Sequence, residues 1–378
     1  MKILLFANTD WYLFNFRLDF ARSLKKDGNE VVLISPEGEY TSLLQKEGFR
    51  WVCFPMERKK LNPIKEIMTL FRLFNLYRRE KPDLVHQFTI KCVLYGSLVC
   101  YLLGYIHVIN SVEGLGYVFT QGRGNREWIK NVTKFFYRLV LPRTWVIFQN
   151  PDDQSFFLKN QLVNPARNII ISGPGVDTRK YVITPETGGI PLVILPARLI
   201  WDKGVKEFVE AAQQLQVSGT EARFALVGDC DEGNPASIHV DQLREWAKKG
   251  VIEWWGWMQK MEEVYAQVSI VCLPSYYREG LPKSLLEASA CGRPIVTTNV
   301  PGCREVVRDG ENGLLVDAKN VAGLVKALDF LIKNPDIRKK MGVRGREIVE
   351  KEYSLEIINP QIYKVYKSCL NDSSNLAT

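Results

Sequence analysis

The chain has 378 residues, 46% apolar and 24% charged, and a formal charge of +8 at pH 7. That length exceeds what one hydrophobic core usually supports and predicts two domains of roughly 150 to 200 residues, while the average composition excludes fibrous, disulfide-stapled and wholly disordered classes. Eight cysteines without a Cys-x-x-Cys pair read as reduced core thiols, and three histidines are too few for a histidine-rich metal site.

The charge is unevenly divided. Residues 1–185 hold 26 Lys+Arg against 16 Asp+Glu, and residues 186–378 hold 24 against 26. The first half therefore suits an anionic partner, whether a membrane surface, a phosphate-bearing substrate or nucleic acid.

Along the chain, MKILLFA reads as a first strand without the cleavage pattern of a signal peptide. EVVLIS, DLVHQF, HVINSV, WVIFQ and NIIIS follow in the first half, then LVILPA, RFALVG, VIEWWG, SIVCLP, RPIVTT and GLLV in the second. Helical patterns rather than hairpins separate these runs, which predicts two α/β, doubly wound units with parallel sheets covered on both faces. The longest weakly polar run, residues 93–109, falls short of the ~20 apolar residues of a spanning helix and reads as a helix capped by Gly104, then a strand.

The Gly-, Pro- and Thr-rich stretch 173–190 is the linker candidate. The expected division is 1–172, linker 173–190, 191–353, a terminal helix 354–371 interrupted at Pro360, and a disordered tail 372–378. Ligands of such sheets bind beyond the carboxyl ends of the strands, here in a cleft between two facing units.

Arg198 and Lys203 fall where the first strand of the second half gives way to a helix. Two cations there suit a pyrophosphate, and an ordinary basic loop would look similar. Further on, REGLPKSLLEASACGRP sets Glu279 and Glu287 on either side of Gly280, Leu281 and Pro282. The proline stands near the first position of a helix, so the amides from Lys283 to Leu285 are expected to be unpaired donors that attract phosphate. Alternatively Glu287 is a solvated helix residue and Glu279 an early partner of the helix dipole.

Together with Val-Gly-Asp at 227–229, WWGWM and SYYREGLPKSLLEASACGRPIVTTNVPGCREVV, this pattern resembles the nucleotide-sugar domain of family 4 glycosyltransferases. These are retaining enzymes of the two-domain GT-B architecture whose signature is a Glu, seven residues and a second Glu. The resemblance spans nearly the whole chain and implies GT-B, with two facing Rossmann-like domains. It implies that Arg198 and Lys203 grip the donor pyrophosphate, with the amides of Ser284 and Leu285. Glu279 and the backbone of Gly280, Leu281 and Pro282 would hold the donor sugar, and Glu287 the ribose. Gly256, Trp257 and Met258 would lie against the base, and Gly228 would let the backbone approach the nucleotide.

The first half departs from the commonest pattern of the family. NTDWYLFNFR stands where many relatives have a glycine-rich turn, so Asn8, Thr9 and Asp10 remain as polar contacts and Arg17 as a partner for an acceptor phosphate. The alternative has Phe14 and Phe16 packing and Arg17 solvated. In VINSVEGLGYVF, Glu113 replaces the histidine of many relatives and, followed by Gly114 and Gly116, could contact the donor sugar or the acceptor hydroxyl. His86 is a further candidate, and a satisfied core histidine fits it equally.

VHQFTIKCVLYGSL with VEGLGYVF is similar to bacterial polysaccharide and N-glycan assembly enzymes, among them the undecaprenyl-diphosphate-bacillosamine α-1,3-N-acetylgalactosaminyltransferase group. What this implies is transfer of a hexose or N-acetylhexosamine from a UDP-sugar to a saccharide carried on undecaprenyl diphosphate, in O-antigen, capsule or glycan assembly. Arg198, Lys203, Glu279 and Glu113 would carry the reaction, without metal or other cofactor, at the inner face of the bacterial cytoplasmic membrane.

Two basic stretches bear on that location. One sets Arg58, Lys59, Lys60, Lys65, Arg72, Arg78, Arg79 and Lys81 beside Ile64, Ile67, Met68, Phe71 and Phe74; the other holds Arg123, Arg126, Lys130, Lys134, Arg138 and Arg143. Both could lie on anionic lipid, or both could be sheet-covering helices with solvated basic rims. A nucleotide-sugar epimerase or a catalytically silent partner of another transferase would share the architecture. No nucleic-acid module accompanies the basic patches, so nucleic acid is not an expected partner.

Overall fold

The structure, a computed structural model, describes residues 1–57, 62–105, 107–114, 125–186, 188–231, 233–277 and 279–372, with the backbone alone at 125–129. Runs such as Ile3-Leu4-Leu5-Phe6 and Val193-Ile194-Leu195 are apolar on both faces and find burial only inside a sheet covered on both sides, where they lie wholly inaccessible to solvent. Among the described residues the first sheet has seven strands: β1 (Lys2–Phe6), β2 (Glu30–Ser35), β3 (Arg50–Cys53), β4 (Leu84–Phe88), β5 (Val108–Val112), β6 (Trp145–Phe148) and β7 (Asn168–Ile170). Their order is β3-β2-β1-β4-β5-β6-β7, and every pairing is parallel.

The second sheet has six: β8 (Leu192–Pro196), β9 (Arg223–Val227), β10 (Glu253–Gly256), β11 (Ile270–Leu273), β12 (Ile295–Thr298) and β13 (Gly313–Val316), in the order β10-β9-β8-β11-β12-β13, again all parallel. In each sheet the order reverses beside its first strand, so the loops after β1 and β4, and after β8 and β11, diverge and leave a crevice at the strands' carboxyl ends.

Two compact units result, one of Met1–Pro174 with the chain from Ile358 onward, the other of Gly175–Ile357. The terminal helix Leu355–Asn371 passes through Pro360 without the expected interruption. Pro360 is on the exposed face and costs one helical bond, whereas Ile358, Ile362, Val365, Tyr366 and Cys369 fall on one stripe and are buried with Leu5, Phe20 and Leu33 in the first core.

The stretch read as a linker is a strap on the second unit. The Val176 amide bonds the Tyr353 carbonyl at 3.0 Å, Arg346 Nη2 holds the Thr178 carbonyl at 2.9 Å, and Glu186 pairs with Arg338 at 2.7 Å. Among the described residues no helix is long and apolar enough to cross a membrane.

Candidate active site

In the second unit the loops leaving β8 and β11 meet through glycine. Gly204 has φ +75°, and a Cβ there would stand 2.1 Å from the Pro274 carbonyl oxygen; at Gly228, after β9, it would stand 2.0 Å from that of Ala197. Any side chain at either position would force the strand ends apart. The Asp202 carbonyl accepts the amides of Tyr276 at 3.0 Å and Tyr277 at 3.1 Å, stitching the β8 loop to the β11 loop.

That stitch brings Lys203 to Glu279. The two side chains, both largely buried, form an ion pair, and Ser275 Oγ donates to Glu279 at 3.1 Å. The ammonium also lies 5.5 Å from the centre of the Tyr277 ring. Buried charges require counter-charges, and each of these two supplies the other's. An ammonium has three donors, so Lys203 can bind Glu279 and still reach a phosphate oxygen. Arg198, half-exposed, bonds Asp231 at 2.7 Å.

The helix Lys283–Ala290 follows, with Pro282 as its N-cap. Its apolar side, Leu285, Leu286, Ala288 and Ala290, is fully buried. The Leu285 amide bonds the Pro282 carbonyl at 3.1 Å, so it is not the unpaired donor expected. The amides of Lys283 and Ser284 precede any acceptor that the helix itself can offer.

Glu287 is buried, which overturns its reading as a solvated helix residue. Tyr181 OH donates to it at 2.8 Å, Tyr265 OH lies 3.4 Å away and Lys283 Nζ 3.6 Å. Burial first, and then the Glu287 charge, raise both tyrosine hydroxyls well above their ordinary pKa, so they remain donors. Sequence reasoning missed both tyrosines; the signal available was a lone aromatic within a Gly-, Pro- and Thr-rich stretch.

Gly256 ends β10 with its carbonyl accepting the Gly228 amide at 2.7 Å. Just beyond, Trp257 and Met258 are 42% and 37% exposed, an apolar shelf beside the β9 and β10 ends.

In the first unit Asn8 follows β1, and Thr9 caps a short helix by accepting the Tyr12 amide at 3.1 Å. Asp10 is buried and holds the Tyr40 amide at 2.8 Å and Thr41 Oγ1 at 3.0 Å, so its carboxylate fastens the loop after β2. Arg17 ends a π-helical turn, Leu13–Arg17, and is buried. It pairs with Glu113 beyond β5, bonds Tyr12 OH through Nε at 3.1 Å and lies 4.4 Å from the Phe88 ring centre; Tyr12 OH also donates to Glu113.

Arg17 is therefore not solvated, and its buried guanidinium has the counter-charge it needs. Burial pulls its pKa down, but Tyr12 and Glu113 outweigh it and hold the value above the ordinary one. Gly114 follows with φ +94°.

His86 is wholly buried, with Nδ1 2.8 Å from Tyr366 OH and Nε2 2.8 Å from Ser111 Oγ. Burial, aided by the Arg17 charge, lowers its pKa well below 6.5, which leaves a neutral histidine serving the core. Gly116, Arg58, Lys59, Lys60 and Arg123 lie outside the described residues, as does the side chain of Arg126.

Two family models match: glycosyl transferases group 1 over residues 181–348 and glycosyl transferase 4-like over residues 2–150, one on each unit. The chain belongs to the group 1, or family 4, glycosyltransferases. Among curated relatives, this glycosyltransferase is 26% identical over 97% of its length, and 98% of the other's, to N,N'-diacetylbacillosaminyl-diphospho-undecaprenol alpha-1,3-N-acetylgalactosaminyltransferase of Campylobacter jejuni. It is 24% identical, over 79% of each chain, to UDP-Gal:alpha-D-GlcNAc-diphosphoundecaprenol alpha-1,3-galactosyltransferase of Escherichia coli. Its fold matches that of Anabaena HepE, solved with UDP and glucose, at a TM-score of 0.81 and 17% identity over 97% of this chain and 100% of that one. The two parallel Rossmann-like sheets are those of a GT-B glycosyltransferase.

Proposed function

We propose that this glycosyltransferase moves a hexose or N-acetylhexosamine from a UDP-sugar to a saccharide carried on a lipid diphosphate, with retention of the anomeric configuration. The observation that carries the reading is the buried Lys203–Glu279 pair at the strand ends of the second unit, beside a helix start. Undecaprenyl-linked substrates in the names of two relatives support the acceptor class.

In this reading Trp257 and Met258 lie against the base, Glu287 takes ribose hydroxyls, and Glu279 with the Gly280–Pro282 backbone takes those of the sugar. The bond from anomeric carbon to phosphate oxygen breaks while the acceptor hydroxyl attacks from the same face. Negative charge then grows on the departing β-phosphate, and Lys203, Arg198 and the amides at the start of the helix Lys283–Ala290 stabilise it. That phosphate takes the acceptor's proton, and a carboxylate at Glu113 meets the acceptor or the sugar. A metal ion is not required, and the enzyme works at the inner face of the bacterial cytoplasmic membrane.

The test is a panel of UDP-sugars against defined undecaprenyl-diphosphate saccharides, with the product anomer read by NMR. Transfer with retention, unaffected by EDTA, is expected. An inverted product, or donor turnover that needs no acceptor, would overturn the reading.

A further inference from the structure

The helix Pro63–Glu80 carries two apolar stripes where a sheet-covering helix needs one. At 100° per residue, Leu73, Leu76 and Tyr77 fall on one side and are buried with Phe6 and Phe54 in a core of the first unit. Ile64, Ile67, Met68 and Phe71 fall on the opposite side, spaced i, i+3, i+4 and i+7, with 72%, 67%, 49% and 67% of their surface exposed. One exposed apolar side chain is ordinary, but four large ones in register along one face form a patch that burial in the core does not explain.

The charge around the stripe narrows its occupant. Arg72, Arg78 and Arg79 are exposed along the outer side of the helix. Its two acids are withdrawn: Glu66 turns to Lys91 at 2.8 Å and Tyr95 at 2.7 Å, and Glu80 is buried against Arg50 at 2.7 Å and Lys2 at 2.9 Å. Apolar side chains beside cations, with the acids turned away, complement an anionic lipid interface.

Position agrees with charge. The helix links the parallel strands β3 and β4 and so runs against them, which sets its first two turns at the sheet end where β4 and β5 finish. The Glu66–Lys91 pair fixes that end, since Lys91 stands just after β4. Arg17 and Glu113 occupy the same end of the same unit.

We infer that Ile64, Ile67, Met68 and Phe71 dock into the interface of an anionic phospholipid bilayer, with Arg72, Arg78 and Arg79 on its headgroups. This deepens the lipid-linked acceptor reading and rests on it for its purpose: the surface holds the acceptor-facing end of the first unit where a lipid diphosphate emerges.

The test is sedimentation of the full chain with vesicles of phosphatidylcholine alone or with added phosphatidylglycerol. Binding should require phosphatidylglycerol, and the double variant Ile67→Glu with Phe71→Glu should lose it at least tenfold at an unchanged melting temperature. Equal binding by the variant, or binding indifferent to phosphatidylglycerol, would overturn the inference. So would a wild-type dimer, seen by light scattering, that the variant dissociates, since the stripe would then be an interface between copies. Transfer to the lipid-linked acceptor in detergent is measured alongside. If it persists without vesicle binding, only the docking surface falls; if it is absent while binding depends on the stripe, only the acceptor reading falls.

Discussion

Tyr181 reaches from the strap that begins the second unit and donates a 2.8 Å hydrogen bond to the buried carboxylate of Glu287. Arg346 anchors the strap on either side, bonding the Tyr181 and Thr178 carbonyls and, at 2.8 Å, that of Ala290. Glu287 is thus held by a residue 106 positions away.

Tyr181→Phe should therefore loosen Glu287 without removing it. A hydrogen bond to a charged group contributes about 1.5 to 3 kcal/mol, so the KM for the UDP-sugar should rise by about tenfold or more while kcat stays within about twofold. Steady-state kinetics, with calorimetric binding of UDP alone, check this; an unchanged KM would separate Tyr181 from the donor site.

Lys203→Ala leaves Glu279 buried without its ammonium and should cost on the order of 3 kcal/mol of stability, along with a fall in kcat of about a hundredfold or more. Adding Glu279→Ala should return part of the stability but none of the activity. Urea unfolding of the four members of the cycle gives the coupling directly.

Glu113→Gln should act likewise on the first unit, because Arg17 loses its counter-charge inside the core. The expected loss is about 3 kcal/mol, and Arg17→Met combined with Glu113→Gln should be more stable than Glu113→Gln alone. Thermal unfolding followed by tryptophan fluorescence would reveal it.

Stability should depend on pH through His86. Its pKa is lowered well below the ordinary value by burial and by Arg17, whereas in the unfolded chain it titrates near 6.5. As pH falls below about 6.5, the unfolded state takes up a proton that the folded state refuses, so stability is full above that pH and drains below it by up to about 1.4 kcal/mol per pH unit. His86→Gln should flatten that slope between pH 6.5 and 5. Glu80 acts lower: burial opposes its ionisation, but bonds from Arg50 and Lys2 hold its pKa at about 2. Its contribution is present above about pH 4.3 and lost toward pH 2.

The architecture was legible in the chain because its strands are apolar on both faces and alternate with helical patterns rather than hairpins, the arrangement expected of a parallel, doubly covered sheet. The cations at Arg198 and Lys203 and the Glu279 to Glu287 spacing were legible because a strand end, a tight turn and a helix start are local features. Pro360 misled, since local propensity predicts a break that tertiary burial of the opposite face overrides.

Partnership was not legible. That Lys203 bonds Glu279, that Arg17 is buried on Glu113, and that Tyr181 secures Glu287 depend on contacts spanning 76, 96 and 106 positions, which no local period encodes. Nor could the pattern of Ile64, Ile67, Met68 and Phe71 reveal which apolar stripe the core would take and which it would leave bare. By itself the sequence determined which residues are apolar, which are charged and where the chain turns; only the tertiary structure decided which charges are taken out of water together, because burial exacts a counter-charge wherever the fold happens to bring one within reach.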